Sequence, residues 1–153
     1  MQPFIPPARP LIGEEEINAV AAVMRTGMIA QGPQVAAFEE EFAATLVPGT
    51  HAVAVNSGTS ALHLGLLAAE IGPGDEVIVP SFTFAATANS VAITGATPVF
   101  ADIDPLTFTL SPAAVEAAIT PRTRAIMPVH LYGHPAPMEA LQAIADAHGL
   151  LLF

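Results

Sequence analysis

The chain has 153 residues, 52% of them hydrophobic, and a formal net charge of -10 at pH 7. This length and apolar content suit one ordinary domain and exclude global disorder, while the acidic balance argues against nucleic-acid and anionic membrane partners. The chain contains no cysteine, which excludes disulfides, thiolate metal sites and cysteine nucleophiles, and its four basic residues are all arginines, so it contains no lysine.

The first third of the sequence predicts an arm followed by two helices. Residues 1–12 are rich in proline and lack the basic and apolar regions of a secretory signal, so we expect a cytoplasmic chain. Apolar residues at helical spacing predict a helix from Glu14 to about Thr26, with Gly27 as its stop. A second helix is predicted over 34–46. No apolar stretch approaches the roughly 20 residues that cross a bilayer, so no transmembrane helix is expected.

Beyond residue 48, short apolar runs alternate with helical segments. Strands are predicted at 51–55, 76–79, 97–101 and 124–129, and helices at 59–70, 83–93, 112–119 and 137–148. The runs are apolar on both faces, which is typical of a parallel sheet covered by helices on both sides. We therefore predict an α/β fold with a mostly parallel sheet, in which residues 1–48 form the arm and two helices and residues 49–153 form the βαβ units.

The last five residues, 149–153, are typical of a further buried strand that follows a helix. The chain stops there without a turn, cap or polar tail, which would leave an open, apolar sheet edge. We therefore expect an N-terminal piece of a longer protein.

A polar turn at 56–62 carries the main functional signal. It places Gly58, Thr59 and Ser60 at the start of a predicted helix, where backbone N–H groups are unpaired and the helix dipole is positive. A phosphate suits such a position, although the turn taken alone fits an ordinary helix cap equally well. A P-loop is excluded because it needs a lysine, and no Rossmann glycine motif follows any predicted strand.

Other candidate residues are weaker when taken alone. Phe84 is most simply a core aromatic residue, and Asp102 and Asp104 indicate a turn after a strand rather than a pair of catalytic carboxylates. The five histidines lack metal-ligand spacing, so no metal site is expected. His130 and Tyr132 end a strand on the side where α/β folds bind ligands, which makes them candidates for contact with substrate.

Six sequence blocks, in order and at matching spacing, resemble the DegT/StrS-type sugar-nucleotide aminotransferases, which are pyridoxal-phosphate enzymes of the aspartate-aminotransferase fold. The resemblance covers nearly the whole chain, and it implies that residues 1–153 are the N-terminal part of a pyridoxal-phosphate-binding large domain, with the remainder of that domain and a C-terminal domain outside this sequence. It implies that the phosphate is that of pyridoxal phosphate, held by Gly58, Thr59 and Ser60, and that Phe84 stacks on the pyridine ring. The blocks are 31–33 with 38–39, 56–64, 73–84, 85–89, 98–104 and 128–133.

The same resemblance places the catalytic groups beyond Phe153: an aspartate that pairs with the pyridine nitrogen, and the Schiff-base lysine. Because this chain contains no lysine, we expect it to hold no catalytic residue and to be inactive alone. The implied parent is a homodimer that transfers an amino group from glutamate to a nucleotide-linked keto sugar, for amino-sugar or polysaccharide biosynthesis. Two alternatives stay open: a sugar 3-dehydratase of the same family, in which histidine replaces the lysine, and a truncated product without activity.

Overall fold

The structure is a computed structural model that describes residues 4, 6 and 9–153, so the predicted arm at 1–12 lies partly outside the described residues. The chain divides into two compact units, Met1–Ala54 and Val55–Phe153. No helix in the described part of the chain is long and apolar enough to cross a membrane.

The first unit contains the two predicted helices, α1 (Glu14–Thr26) and α2 (Pro33–Leu46). Three glutamates in the first turn of α1 complement the positive end of its dipole. Gly27 ends α1 in the left-handed conformation, with φ at 75° and its N–H donating to the Met24 carbonyl at 3.1 Å. Proline at the first position of α2 fits because that position needs no N–H donor. Both helix predictions are confirmed.

The predicted strand at 51–55 is wrong. The exposure of these residues alternates as it would along a strand, and Val53 is 80% exposed. However, none of them joins a β-ladder with any described residue. Within the first unit, the Ala54 N–H donates instead to the Glu39 carboxylate at 2.7 Å. Alternating apolar residues indicate which face of a strand would be buried, but a strand also needs a hydrogen-bonded neighbour, which the pattern does not supply.

The second unit alternates helices and strands, as predicted. Helix α4 begins three residues later than predicted, because the Ser81 N–H still donates to the Ala101 carbonyl at 2.9 Å and prolongs the strand pairing. Strand β3 ends before Pro128, which has no N–H for a ladder. The elements are α3 (Gly58–Ala68), β1 (Glu76–Pro80), α4 (Ala86–Ile93), β2 (Thr97–Ala101), α5 (Pro112–Ala118), β3 (Thr123–Ile126), a 3-10 turn (Leu131–Gly133), α6 (Met138–His148) and β4 (Leu151–Leu152).

The four strands form one parallel sheet in the order β2-β1-β3-β4. This confirms the predicted parallel α/β architecture. The strand predicted at the end of the chain is present as β4, but it contains two residues and Leu151 remains 44% exposed. Its predicted burial is therefore incomplete, because an edge strand has a neighbouring strand on one side only.

Helices cover both faces of this sheet. Side chains of β1 alternate between the faces, so that Val77 and Val79 pack on one side and Ile78 on the other. The first face packs against α3 and α4 through Leu66 and Val91. The opposite face packs against α5 and α6 through Val115, Leu141 and Ala145. Each fully buried aliphatic side chain contributes about 1.5–3 kcal/mol, so these two layers hold the site-bearing edge of the sheet in place.

Candidate cofactor site

The strand order places a crevice at the carboxyl ends of β1 and β3. From β1 the chain crosses to β2 on one side through α4, which lies on the first face of the sheet. From β3 it crosses to β4 on the other side through α6, which lies on the second face. Open parallel sheets bind ligands where neighbouring connections diverge in this way, because the two loops separate and leave a gap.

A cavity of about 580 Å³ opens at this position. Three segments line it: the first turn of α3, the connection from β1 into α4, and the residues that follow β3. Its wall contains no charged side chain, so an anion bound there would be held by backbone N–H groups, hydroxyls and helix dipoles alone. The lining residues are Gly58, Thr59, Ala61, Leu62, Thr83, Phe84, Ala86, Thr87, Met127 and Val129.

The turn before α3 is organised by its own side chains. Ser57 is the N-cap, and its hydroxyl oxygen accepts the Ser60 N–H at 3.1 Å. The Ser60 hydroxyl donates to the Asn56 side-chain carbonyl at 2.8 Å, so Ser60 is engaged within the turn and is absent from the cavity wall. The N–H groups of Gly58 and Thr59 have no hydrogen-bond partner among the described residues. The structure thus leaves two backbone donors and the Thr59 hydroxyl for an anion.

The cavity wall fits a phosphate joined to a flat ring. A Cβ placed on Gly58 would meet no atom within 4 Å, so glycine here leaves open space beside the unpaired N–H groups. Phe84 also lines the cavity and is 78% exposed. It is therefore not the core aromatic residue that the sequence alone would suggest. A free aromatic face beside an anion-binding turn suits pyridoxal phosphate, which carries both groups.

The two predicted substrate residues follow β3 but do not line the cavity. The His130 ring accepts the Ala136 N–H at Nδ1, 3.0 Å away, which places the ring hydrogen of a neutral imidazole on Nε2. Tyr132 is 91% exposed and has a positive φ of 53°. Both residues lie beyond the carboxyl end of β3, and their contact with substrate stays a prediction.

The predicted turn at Asp104 is confirmed. One oxygen of its carboxylate accepts the N–H groups of Leu106 and Thr107, at 2.8 and 3.1 Å. This is the turn-forming role expected of an aspartate that follows a strand. The carboxylate therefore organises its own loop.

Sequence reasoning missed the cavity residues Met127 and Val129. They reach the site because β3 lies next to β1, although the two strands are separated in sequence by the whole of α4, β2 and α5. The alternation of strands and helices indicates the class of sheet but not the order of its strands. A ligand site at the divergence of two connections becomes visible only once that order is known.

Comparison with known proteins agrees with this fold. The sequence profile described as the DegT/DnrJ/EryC1/StrS aminotransferase family matches residues 10–153. The chain is 53% identical over 149 residues to the spore coat polysaccharide biosynthesis protein SpsC of Bacillus subtilis (strain 168), a match that covers 97% of this chain and 38% of SpsC.

Two crystal structures are also similar. S. venezuelae DesV in complex with a ketimine intermediate is 52% identical, with a TM-score of 0.81 over 90% of this chain and 38% of DesV. Bacillus subtilis NtdA with bound cofactor PMP is 39% identical, with a TM-score of 0.86 over 92% of this chain and 33% of NtdA.

The chain belongs to the DegT/DnrJ/EryC1/StrS aminotransferase family. The predicted family and fold are confirmed, and pyridoxal phosphate, the predicted cofactor, is the cofactor of this family. The chain spans 38% of the length of SpsC and of DesV.

Proposed function

We propose that the protein containing this chain is a pyridoxal-phosphate-dependent aminotransferase that moves an amino group from glutamate to a keto sugar carried on a nucleotide. Family membership and the similarity to SpsC, whose name places it in polysaccharide biosynthesis, support an amino-sugar product for a polysaccharide. The observation that carries the proposal is the cavity at the carboxyl ends of β1 and β3, where the unpaired N–H groups of Gly58 and Thr59 share one wall with Phe84.

In this proposal, Gly58 and Thr59 hold the phosphate and Phe84 lies against the ring. Hydrogen bonds from N–H groups to a charged oxygen contribute about 1.5–3 kcal/mol each, whereas a helix dipole contributes about 0.3–1 kcal/mol at an exposed site. The donors of the turn therefore dominate phosphate binding, and Ser57 and Ser60 serve by holding that turn in shape. When bound, the cofactor supplies an electron sink for the α-carbon of the amino acid.

We further propose that residues 1–153 form the N-terminal part of the cofactor-binding domain and are inactive alone. The chain has no lysine, so none of its side chains offers a primary amine for a covalent link to pyridoxal phosphate or for proton transfer at the α-carbon. The residues described here would bind and orient the cofactor, and the amine would come from a part of the protein outside this sequence.

A homodimer is part of the same proposal. Neither α1 nor α2 contains a buried residue, and side chains at helical spacing on α1, including Ile17, Val20 and Met24, are more than half exposed. Large apolar side chains left uncovered along a helix favour burial against another surface. Light scattering on the full-length protein should give twice the mass of one chain, and a monomer at micromolar concentration would contradict this part of the proposal.

A cytoplasmic location stays a prediction.

The activity is tested with the full-length protein, pyridoxal phosphate, glutamate and a set of nucleotide-linked 3- and 4-keto sugars. We expect 2-oxoglutarate and an aminated sugar nucleotide in equal amounts, measured by coupled assay and mass spectrometry. Thr59→Ala should weaken cofactor retention, and unchanged retention would remove Thr59 from the site. Loss of a sugar hydroxyl without nitrogen incorporation would identify the dehydratase alternative. Absence of both products in a protein that has bound its cofactor would overturn the proposed function for these substrates.

A further inference from the structure

Two threonine hydroxyls in the cavity wall have no role in the site described so far. Thr83 and Thr87 both line the cavity, and their Oγ1 atoms lie 3.3 Å apart. Thr87 is 5% exposed, and the wall around the pair includes the apolar side chains of Met127 and Val129. Besides Thr59, these are the polar side chains of the wall.

The hydroxyl of Thr87 is hydrogen-bonded differently from those of the other buried hydroxyl residues in and directly after α4. Ser90 donates to the Thr87 carbonyl at 2.9 Å, and Thr94 donates to the Val91 carbonyl at 2.7 Å. Such a bond to a carbonyl one turn earlier is the usual way in which a helical serine or threonine satisfies its hydroxyl. The Thr87 hydroxyl makes no such bond to the described residues and instead pairs with the Thr83 hydroxyl.

One hydroxyl hydrogen of the Thr83–Thr87 pair is left without an acceptor in the described part of the chain. Two hydroxyls carry two hydrogens, and the bond between Thr83 and Thr87 uses one of them. The second hydrogen has no acceptor among the described residues. The hydroxyl that accepts the bond between them keeps this hydrogen at the cavity wall, so the pair is suited to a ligand that brings an oxygen acceptor.

We propose that the Thr83–Thr87 hydroxyl pair donates a hydrogen bond to an oxygen acceptor of the ligand that lies against Phe84. The inference rests on the proposed function, which places a cofactor and a substrate in this cavity. The acceptor belongs either to the cofactor ring or to the substrate, and the two sources are separated by experiment. In either case the hydroxyl pair fixes the orientation of a flat ring, which stacking on Phe84 alone leaves free to rotate in its plane.

The test uses the full-length protein and its variants Thr87→Val, Thr87→Ser and Thr94→Val. Valine keeps the shape of threonine and removes the hydroxyl. Thr94→Val is the matched control, because Thr94 is also buried but donates to a backbone carbonyl and does not line the cavity. Pyridoxamine phosphate is titrated into each protein freed of cofactor, since it binds without a covalent link. Michaelis constants for the keto sugar are then measured at saturating cofactor.

For an acceptor on the cofactor, Thr87→Val should weaken binding of pyridoxamine phosphate by roughly 2- to 10-fold, the range for one neutral hydrogen bond. Thr87→Ser should restore it, and Thr94→Val should bind like the wild type. For an acceptor on the substrate, cofactor binding is unchanged and the Michaelis constant rises by the same factor. Circular dichroism melting checks that each variant is folded. If Thr87→Val does not fold, Thr83→Val replaces it, because this substitution removes the other hydroxyl of the pair at a less buried position.

The proposal is overturned if a folded Thr87→Val protein shows neither change, or if Thr94→Val produces the same loss as Thr87→Val. The second result would assign the effect to packing of α4. Failure of the proposed function is a different observation, because it would appear as absence of amino transfer in the wild-type protein.

Discussion

At the scale of single residues, Gly58 offers the most direct test of the proposed phosphate site. A Cβ at this position would meet no atom within 4 Å, so Gly58→Ala should leave the unfolding free energy within about 0.5 kcal/mol of the wild type. The new methyl group would occupy space beside the unpaired N–H groups, and loss of one charge-assisted hydrogen bond corresponds to at least a roughly 10-fold loss of affinity for pyridoxamine phosphate. Calorimetric titration and urea unfolding of the full-length variant check both expectations.

Gly95→Ala is the matching control. Gly95 has φ at 88°, and a Cβ there would lie 2.8 Å from the Pro73 Cγ atom. This substitution should destabilise the protein by more than about 1 kcal/mol while leaving cofactor affinity per folded molecule unchanged. Equal cofactor affinity in Gly58→Ala and wild type would contradict the phosphate assignment.

At Phe84, the proposed stacking on the cofactor ring can be tested without a large change in the stability of the protein. Because its side chain is 78% exposed, Phe84→Ala should change the thermal midpoint little. Loss of an aromatic stacking contact corresponds to a roughly 2- to 10-fold weaker affinity for pyridoxamine phosphate. Phe82→Ala serves as the comparison, since Phe82 contacts Phe108 with ring centroids 6.0 Å apart and does not line the cavity. An equal effect of both substitutions on cofactor binding would remove the stacking role.

At the scale of elements, strands β1 and β3 are joined at their N-terminal ends by a buried carboxylate. Glu76 is 5% exposed, and its carboxylate accepts hydrogen bonds from the Thr120 hydroxyl and from the Arg122 guanidinium, whose Nε lies 2.9 Å away. The Glu76 N–H also donates to the Arg122 carbonyl at 2.9 Å. The hydrogen bond from Thr120, followed by that from Arg122, lowers the pKa of Glu76 below its usual value.

This depressed pKa makes the contribution of Glu76 to stability dependent on pH. A carboxyl group whose pKa is lower in the folded than in the unfolded state stabilises the fold above the unfolded value of about 4.3, and the effect is lost as the pH falls through the folded value. Glu76→Gln should therefore be less stable than wild type at pH 7, and the difference should shrink below about pH 4. Urea midpoints of the full-length protein between pH 3 and 7 measure this.

Exposed Glu41 on α2 provides the comparison for that experiment, because Glu41→Gln removes a carboxylate on a solvated helix face. It should shift the midpoints little at any pH. A stability difference between wild type and Glu76→Gln that stays constant from pH 7 to pH 3 would contradict the role given to the carboxylate charge.

At the scale of the whole chain, residues 1–153 contain no lysine, which makes the reactivity of this chain toward pyridoxal phosphate predictable. When the 153-residue chain is incubated with pyridoxal phosphate and reduced with borohydride, no side chain should become labelled, because none carries a primary amine. Peptide mapping by mass spectrometry measures this, and the α-amino group of Met1 is the one amine left to react. The full-length protein under the same conditions should carry the label on a lysine outside these residues. A labelled internal peptide within 1–153 would contradict the inactivity proposed for this chain.

Local chemistry made much of the secondary structure predictable. The bounds of α1 follow from three acidic residues in its first turn and a glycine at its end, and Ser111 before Pro112 marks the start of α5 as cap and first position. The segment 51–55 could not be predicted in the same way, because a strand depends on a neighbour that lies elsewhere in the chain.

The sequence by itself predicted the class of sheet, a helix-start turn at Gly58, Thr59 and Ser60 that suits a phosphate and, through the blocks that it shares with a family, the cofactor. These features depend on residues close together in the chain, where periodicity, capping and backbone freedom act directly. Only the tertiary structure decided that β3 lies beside β1, that Ser60 turns back into its own loop, and that Thr87 faces a cavity with Met127. Those outcomes depend on strand order and on competition among hydrogen-bond partners, which are settled by the packing of distant segments.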